Sequence, residues 1–210
     1  MRTGFLISFE GVEGSGKSTQ AKRLVQRLES QGTAVLLTCE PGGTPVGKAL
    51  RALLLKGERI EPLTELLLFL ADRHQHWRDV IRPALADGKV VVVDRFLDST
   101  VSYQGYGRGL PVDKINHLNH WVLDGEEPDV TLLMDLPLQD GMRRLAGEKD
   151  KIESEEEAFH LRIREGYLAE ARKYPERIVV FDGLLGEEEL SEKILAEVRE
   201  RYQARAVKAR

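Results

Sequence analysis

Five short apolar runs recur along this chain, at Phe5 to Phe9, Ala34 to Thr38, Val90 to Asp94, Val130 to Asp135 and Ile178 to Asp182, separated by segments with helical spacing. Strand-length runs alternating with helices are the pattern of βαβ units, whose strands run parallel. The runs are continuously apolar rather than alternating, as expected of strands covered by helices on both sides. The fold class they specify is α/β, a five-stranded parallel sheet flanked by helices on both faces. At 210 residues the chain makes one domain over 1–210 and can bury a substantial core. Neither an internal repeat nor a low-complexity linker divides it.

Between the strands, Val46, Ala49, Leu50, Leu53 and Leu54 form one helical stripe, and Ile115, Leu118 and Val122 form part of another. Gly32 and Gly88 stand where helix C-caps belong. Pro83 interrupts the stretch from Pro62 to Asp87 and predicts a kink or a fresh start. Ser154 and Glu157 have the spacing of a capping box opening a helix that runs to about Lys173, so the acidic run Glu153 to Glu157 needs no functional reading. The apolar face of Leu66, Leu67, Leu70 and Trp77 serves equally well as core or as a partner surface. The basic residues from Arg199 to Arg210 read as a solvated helix end.

Directly after the first run comes Phe9-Glu10-Gly11-Val12-Glu13-Gly14-Ser15-Gly16-Lys17-Ser18-Thr19. Gly11, four residues, then Gly16-Lys17-Ser18 is the phosphate-binding P-loop spacing, in which glycines let backbone N–H groups curl around phosphate oxygens without side-chain clashes. A helix beginning near Gly16 points its positive end at the bound anion. Lys17 then reaches the β- and γ-phosphates, and Ser18 offers its hydroxyl to Mg²⁺. The segment Gly11, Val12, Glu13, Gly14, Ser15, Gly16, Lys17, Ser18 and Thr19 is therefore the expected nucleoside triphosphate site.

Composition removes other classes. The charge of −4 gives no support to nucleic acid as a bulk partner, and no apolar run approaches the length of a membrane span. Met1-Arg2-Thr3-Gly4 leads into a strand without a small-residue cleavage site, so a cytoplasmic protein is expected. Cys39 is the only cysteine, which excludes an internal disulfide and suggests a small buried hydrophobe. His74, His76, His117, His120 and His160 lie on helix-like segments without metal-ligand spacing, and surface or packing roles suit them best.

A P-loop alone does not separate kinases from switches, motors or transport ATPases. Asp94-Arg95-Phe96 closes the third apolar run at the carboxyl edge of the sheet, where open α/β folds bind ligands, and an arginine there can clamp a phosphate. A strand-end salt bridge explains the pair equally well. Glu40-Pro41-Gly42-Gly43-Thr44 makes a tight turn at the same edge. Phe69 and Arg73, four apart on a helix, share a face that could read a flat base, or are a core ring and an unrelated surface arginine. Ser99, Thr100, Tyr103 and Gln104 gather hydroxyls, a phenol and an amide suited to a base edge and a sugar.

In this order and at about these intervals, the P-loop, the Glu40 to Thr44 turn, Phe69-Leu70-Ala71-Asp72-Arg73, Asp94-Arg95-Phe96 and Ser99 to Gly105 resemble the thymidylate kinases, from Phe5 to Asp182. The resemblance implies transfer of the ATP γ-phosphoryl group to dTMP on a P-loop NTPase fold that forms a homodimer, within the synthesis of deoxynucleotides. It implies that Phe69 stacks on thymine while Arg73, Thr100 and Gln104 read its polar edge, and that Tyr103 packs where a 2′-hydroxyl would stand. Glu13 would sit near the sugar 3′-hydroxyl and the metal, Arg95 and Arg51 would hold the acceptor phosphate, and Glu40 and Pro41 would shape the pocket wall. Asp94 and Ser99 join that substrate-binding set.

The lid expected at about 141–153 departs from the family. It is short, with lysines where arginine is usual, and the P-loop has no arginine, so transition-state charge falls to Arg143 or Arg144, with Lys149 or Lys151 as helpers. Arg144 is the expected one to enter the site as the lid closes. Two other functions remain open: a P-loop kinase for another nucleoside monophosphate or a deoxynucleoside, and a non-kinase nucleotide switch. No Asn-Lys-x-Asp run that could read guanine is present, and a deoxynucleoside would leave Arg95 and Arg51 without a phosphate.

Overall fold

The computed structural model describes residues 3–56, 58–145 and 151–208, with the side chains of 206–208 left aside. The strands are β1 (Phe5–Glu10), β2 (Val35–Cys39), β3 (Val90–Asp94), β4 (Val130–Asp135) and β5 (Ile178–Asp182). All pair in parallel, in the order β2-β3-β1-β4-β5. The helices are α1 (Lys17–Ser30), α2 (Pro45–Lys56), α3 (Pro62–His76), α4 (Arg82–Ala86), α5 (Leu97–Thr100), α6 (Val112–Val122), α7 (Leu138–Arg144), α8 (Glu157–Lys173) and α9 (Glu187–Lys208).

Successive strand side chains point to opposite faces, which is why the central strands must be apolar throughout. Phe5, Ile7, Phe9, Val90, Val92, Leu132 and Met134 pack with α1 and α9 on one side. Leu6, Val91 and Val93 pack on the other with Trp77, Ile81 and Leu85. The expectation of burial on both faces fails at the two edges, β2 and β5, where Leu37 is 37% and Val180 46% exposed. Position in the sheet, which composition does not encode, decides that difference.

Two helical expectations are corrected. In α2 only Gly47 and Leu54 are buried, and Val46 and Leu53 of the expected stripe face outward. The helix of the expected capping box does end at Lys173, but it starts at Glu157 with Glu156 as its cap residue, and no side chain of that residue caps it. Pro83 stands in the first turn of a fresh α-helical segment, α4, as expected. A π-helical turn, Trp77–Ile81, runs straight into α4, with Arg82 N–H bonded back to the carbonyl of Trp77. The widened turn precedes a proline that cannot donate, and the chain continues without a break. Gly32 and Gly88 follow α1 and α4 with φ of 80° and 77°, the left-handed conformation of a C′ glycine.

Candidate active site

The P-loop joins β1 to α1, and Gly16, at φ 89°, takes the cap position. Neither Gly14 of the loop nor Gly141 of α7 has room for a side chain. A Cβ on Gly14 would come within 2.1 Å of the Gly141 carbonyl oxygen, and one on Gly141 within 2.6 Å of the Glu13 carbonyl oxygen. The loop and α7 therefore touch backbone to backbone, which brings the start of the segment expected as a lid against the P-loop. Lys17 lies folded over the loop, its Nζ donating to the Val12 carbonyl at 2.7 Å and to Ser15 Oγ at 3.3 Å. Burial, with Arg95 nearby, pushes Lys17 down to about 7.

The donor-side cavity, about 510 Å³, is lined by the loop from Gly14 to Thr19 and by Arg144, Gly183 and Leu185. The acceptor-side cleft, about 370 Å³, is lined by Glu13, Cys39, Leu55, Leu145, Ile152 and Glu153. Every acceptor-side residue expected from sequence, from Glu40 to Gln104 and including Arg51, lines it too. The two cavities share Gly14, Lys17 and Ser18.

The cleft is held by side-chain pairs. Arg73 is buried, with Nε donating to Glu40 at 2.8 Å, Nη1 to Thr100 Oγ1 at 2.5 Å and to Asn119 Oδ1 at 2.7 Å, and Nη2 to the Phe96 carbonyl at 2.9 Å. Four of its five N–H donors are thus committed inside the protein, leaving one on Nη2. Glu40 also accepts from buried His76 at 3.0 Å, whose other ring nitrogen meets Thr38 Oγ1 at 2.7 Å. The Glu40–Pro41 peptide is cis, and the Pro41 carbonyl accepts from Arg51 at 2.9 Å. Gly42 N–H donates to Asp72 at 3.1 Å. Burial and the nearby Glu40 push Asp72 up to about 6.

Arg95 leaves β3 at φ 68°, an uncommon conformation for a residue with a side chain, and its N–H bonds the Phe9 carbonyl at 2.9 Å. That turn carries the guanidinium to Glu13 at 3.0 Å and 5.0 Å over the Tyr103 ring. Tyr103 donates its hydroxyl to the same Glu13 carboxylate. Burial alone would raise Glu13, but Arg95 and its other cationic and hydrogen-bonding neighbours hold it well below the usual carboxylate range. Asp94 accepts from the Ser18 hydroxyl, so two hard oxygen ligands stand at the mouth of the P-loop. Such a pair fits Mg²⁺, which takes one or two protein oxygens and completes its shell from phosphate and water.

Sequence reasoning missed several members. Glu10 stood in the P-loop motif without a role; it is buried and accepts from Phe96 N–H at 2.7 Å, Ser99 N–H at 3.2 Å and the Tyr167 hydroxyl at 3.0 Å. Burial, followed by the neighbouring Asp98, pushes it up to about 7. Phe159, Ile163 and Tyr167 recur every four residues, a stripe that could have marked the face of α8 toward the cleft. Cys39 is a correction: at the end of edge strand β2 it is exposed and lines the cleft. Leu66, Leu70 and Trp77 are core, and only Leu67 of that face is exposed. On the lid, Arg144 donates to the Gly183 carbonyl at 3.0 Å, whereas Arg143 is 73% exposed beside Asp140. Lys151 donates to the Glu58 carbonyl at 2.7 Å. Lys149 and the rest of 146–150 lie outside the described residues.

A family model described as thymidylate kinase matches residues 9–194. The chain belongs to the thymidylate kinase family. A thymidylate kinase from Synechococcus sp. (strain JA-2-3B'a(2-13)) is 53% identical over 173 residues, 82% of this chain and 84% of that one. One from Halothermothrix orenii is 45% identical over 204 residues, 93% of this chain and 97% of that one. The crystal structure of thymidylate kinase from Ehrlichia chaffeensis superposes with a TM-score of 0.78 at 34% identity, covering 93% of this chain and 98% of that one. Its architecture is thus that of the P-loop NTPases.

Proposed function

We propose that this member transfers the γ-phosphoryl group of ATP to dTMP, giving dTDP and ADP. The observation that carries the reading is the meeting of the two cavities at Gly14, Lys17 and Ser18, which sets an amide-lined donor cradle against a guanidinium-lined cleft. Phosphoryl transfer asks a protein mainly to align donor and acceptor oxygens and to neutralise spreading charge. Lys17 holds the donor phosphates, and Arg95 with Arg51 holds the acceptor phosphate. Ser18, with Asp94 behind it, would hold Mg²⁺, which would supply charge neutralisation at the donor phosphates. Glu13 orients Arg95 and faces the sugar. Phe69 stacks on the base, whose polar edge meets the free N–H of Arg73, Thr100 and Gln104, while Tyr103 packs against the deoxyribose and Glu40 and Pro41 form the wall.

Arg144 rather than Arg143 is the lid residue proposed to meet transition-state charge, because it already lines the donor cavity. Arg144→Ala should lower kcat more than about tenfold, roughly 1.4 kcal/mol of barrier, and Arg143→Ala less. Equal, small losses in both would remove the idea. A homodimer is supported by Val46 and Leu53 on α2 and Leu63 and Leu67 on α3, each about half exposed on adjoining helices. No helix among the described residues is long and apolar enough to cross a membrane. The deciding measurement is ADP release with each nucleoside monophosphate and deoxynucleoside in turn. The reading requires dTMP to have the highest kcat/KM, and slow hydrolysis that dTMP does not accelerate would overturn it.

A further inference from the structure

The π-helical turn Val101–Gly107, which carries Tyr103, also carries Gln104, and Arg108 follows it with its N–H bonded to the Tyr103 carbonyl. Gln104 is buried at the edge of the acceptor cleft and donates from Nε2 to Glu65 Oε1 at 2.9 Å. Glu65 is 1% exposed in the first turn of α3. Arg108 grips both of its oxygens, Nε to Oε1 at 3.1 Å and Nη2 to Oε2 at 3.2 Å. Its Nη1 donates to Glu155 at 2.5 Å, and its guanidinium lies 4.5 Å over the Phe159 ring. Nothing in the roles given above uses Glu65, Arg108 or Glu155.

The chemistry of this chain of contacts has one direction. A carboxylate gripped by a guanidinium accepts hydrogen bonds and donates none, so the amide of Gln104 must turn its NH₂ toward Glu65. The carbonyl oxygen is then the group Gln104 has left for a ligand. We propose that Glu65 and Arg108 are positioning residues that hold the Gln104 carbonyl toward the base, so that the cleft selects a pyrimidine bearing hydrogen on N3 and rejects one whose N3 is a bare acceptor. Arg73 supplies the other half of the pattern, since a guanidinium only donates and one of its N–H groups is uncommitted. Thymine and uracil offer a carbonyl beside an N3–H and match both groups. Cytosine offers an amino group beside an unprotonated N3 and matches neither.

This inference rests on the proposed place of Gln104 at the base, and the test separates the two. The kcat/KM values for dTMP, dUMP and dCMP are measured for the wild type, Glu65→Gln, Arg108→Lys and Gln104→Ala. With Gln at position 65 either end of the Gln104 amide can face the ligand, so the preference for dTMP over dCMP should fall by about tenfold or more. The ratio of dTMP to dUMP and the KM for ATP should stay in place. Arg108→Lys keeps the charge and loses the fork, so it should move the same ratio in the same direction and serves alone if Glu65→Gln does not fold. A folded variant in which all three nucleotides lose equally overturns the proposal, because that is the mark of structural damage. If Gln104→Ala leaves the KM for dTMP unchanged, the placing of Gln104 at the base is wrong. If it raises that KM while both other variants keep the wild-type ratio, the positioning role alone fails.

Discussion

The donor cradle is one continuous stretch of backbone from Gly11 to Thr19, whereas the acceptor cleft is assembled from side chains on β2, α2, α3, β3 and the turn after it, many already paired with one another. A backbone cradle can lose a side chain and keep its shape. The cleft cannot, because its ligand-facing groups are also its internal ties, so its specificity and its stability share the same atoms.

The largest expected effect tests that coupling. Arg73→Ala leaves Glu40 buried beside His76 without its guanidinium, and removing one partner of a buried pair costs about 3–5 kcal/mol of folding stability. Urea unfolding measures it, and the KM for dTMP should rise more than that for ATP. Stability within about 1 kcal/mol of wild type would mean that the cleft is not held by this network. Lys17→Ala is the counterpart on the donor side. It should lower kcat by about 10²–10³-fold, the range for loss of one preorganised donor, with little loss of stability because the group removed is one whose charged form burial already disfavours. A loss of stability as large as that of Arg73→Ala would erase the contrast.

The two regions should also separate by pH. Glu10, at about 7 instead of 4.5, keeps a proton in the folded chain that the unfolded chain releases, so stability should fall as pH rises from about 4.5 to 7. Lys17, at about 7 instead of 10.5, is neutral when folded and charged when unfolded above pH 7, so its contribution should rise between about 7 and 10.5. Stability measured across pH should lose the first slope in Glu10→Gln and the second in Lys17→Ala. Persistence of either slope in its own variant would assign it elsewhere. The smallest effect is that of Tyr103→Phe, which removes the hydroxyl donated to Glu13 but keeps the ring under Arg95. About 1 kcal/mol, a few-fold in kcat/KM for dTMP, is expected, with the preference for deoxyribose unchanged. Tyr103→Ala should admit ribonucleotides better.

How legible each part was follows from range. β3, β4 and β5 stand at the residues expected, and β1 and β2 differ by single residues at their ends, because an apolar run of strand length is legible in composition even where, as in β2 and β5, one face is exposed. The P-loop was legible for the same reason: its function is local backbone geometry, and glycine spacing encodes it. The cleft's residue types were visible only through the order of the motifs. Their partners were not, since Asn119, Tyr167, Glu65 and Arg108 reach the site from distant segments. Cys39 was misplaced because burial there depends on which strand lies at the sheet edge, and the outer face of α2 because that helix packs chiefly on α3.

From its residues alone this chain determines a parallel α/β sheet and a phosphate loop at the end of β1, since these follow from local periodicity and spacing, while the order of its motifs picked out the side chains that line the cleft. Tertiary structure alone decided that Arg73 spends four of its donors inside the protein, that Arg144 and not Arg143 reaches the donor cavity, and that Glu65 sets the face of Gln104. Hydrogen bonds between residues tens of positions apart depend on where the chain returns in space, and only the folded packing supplies that.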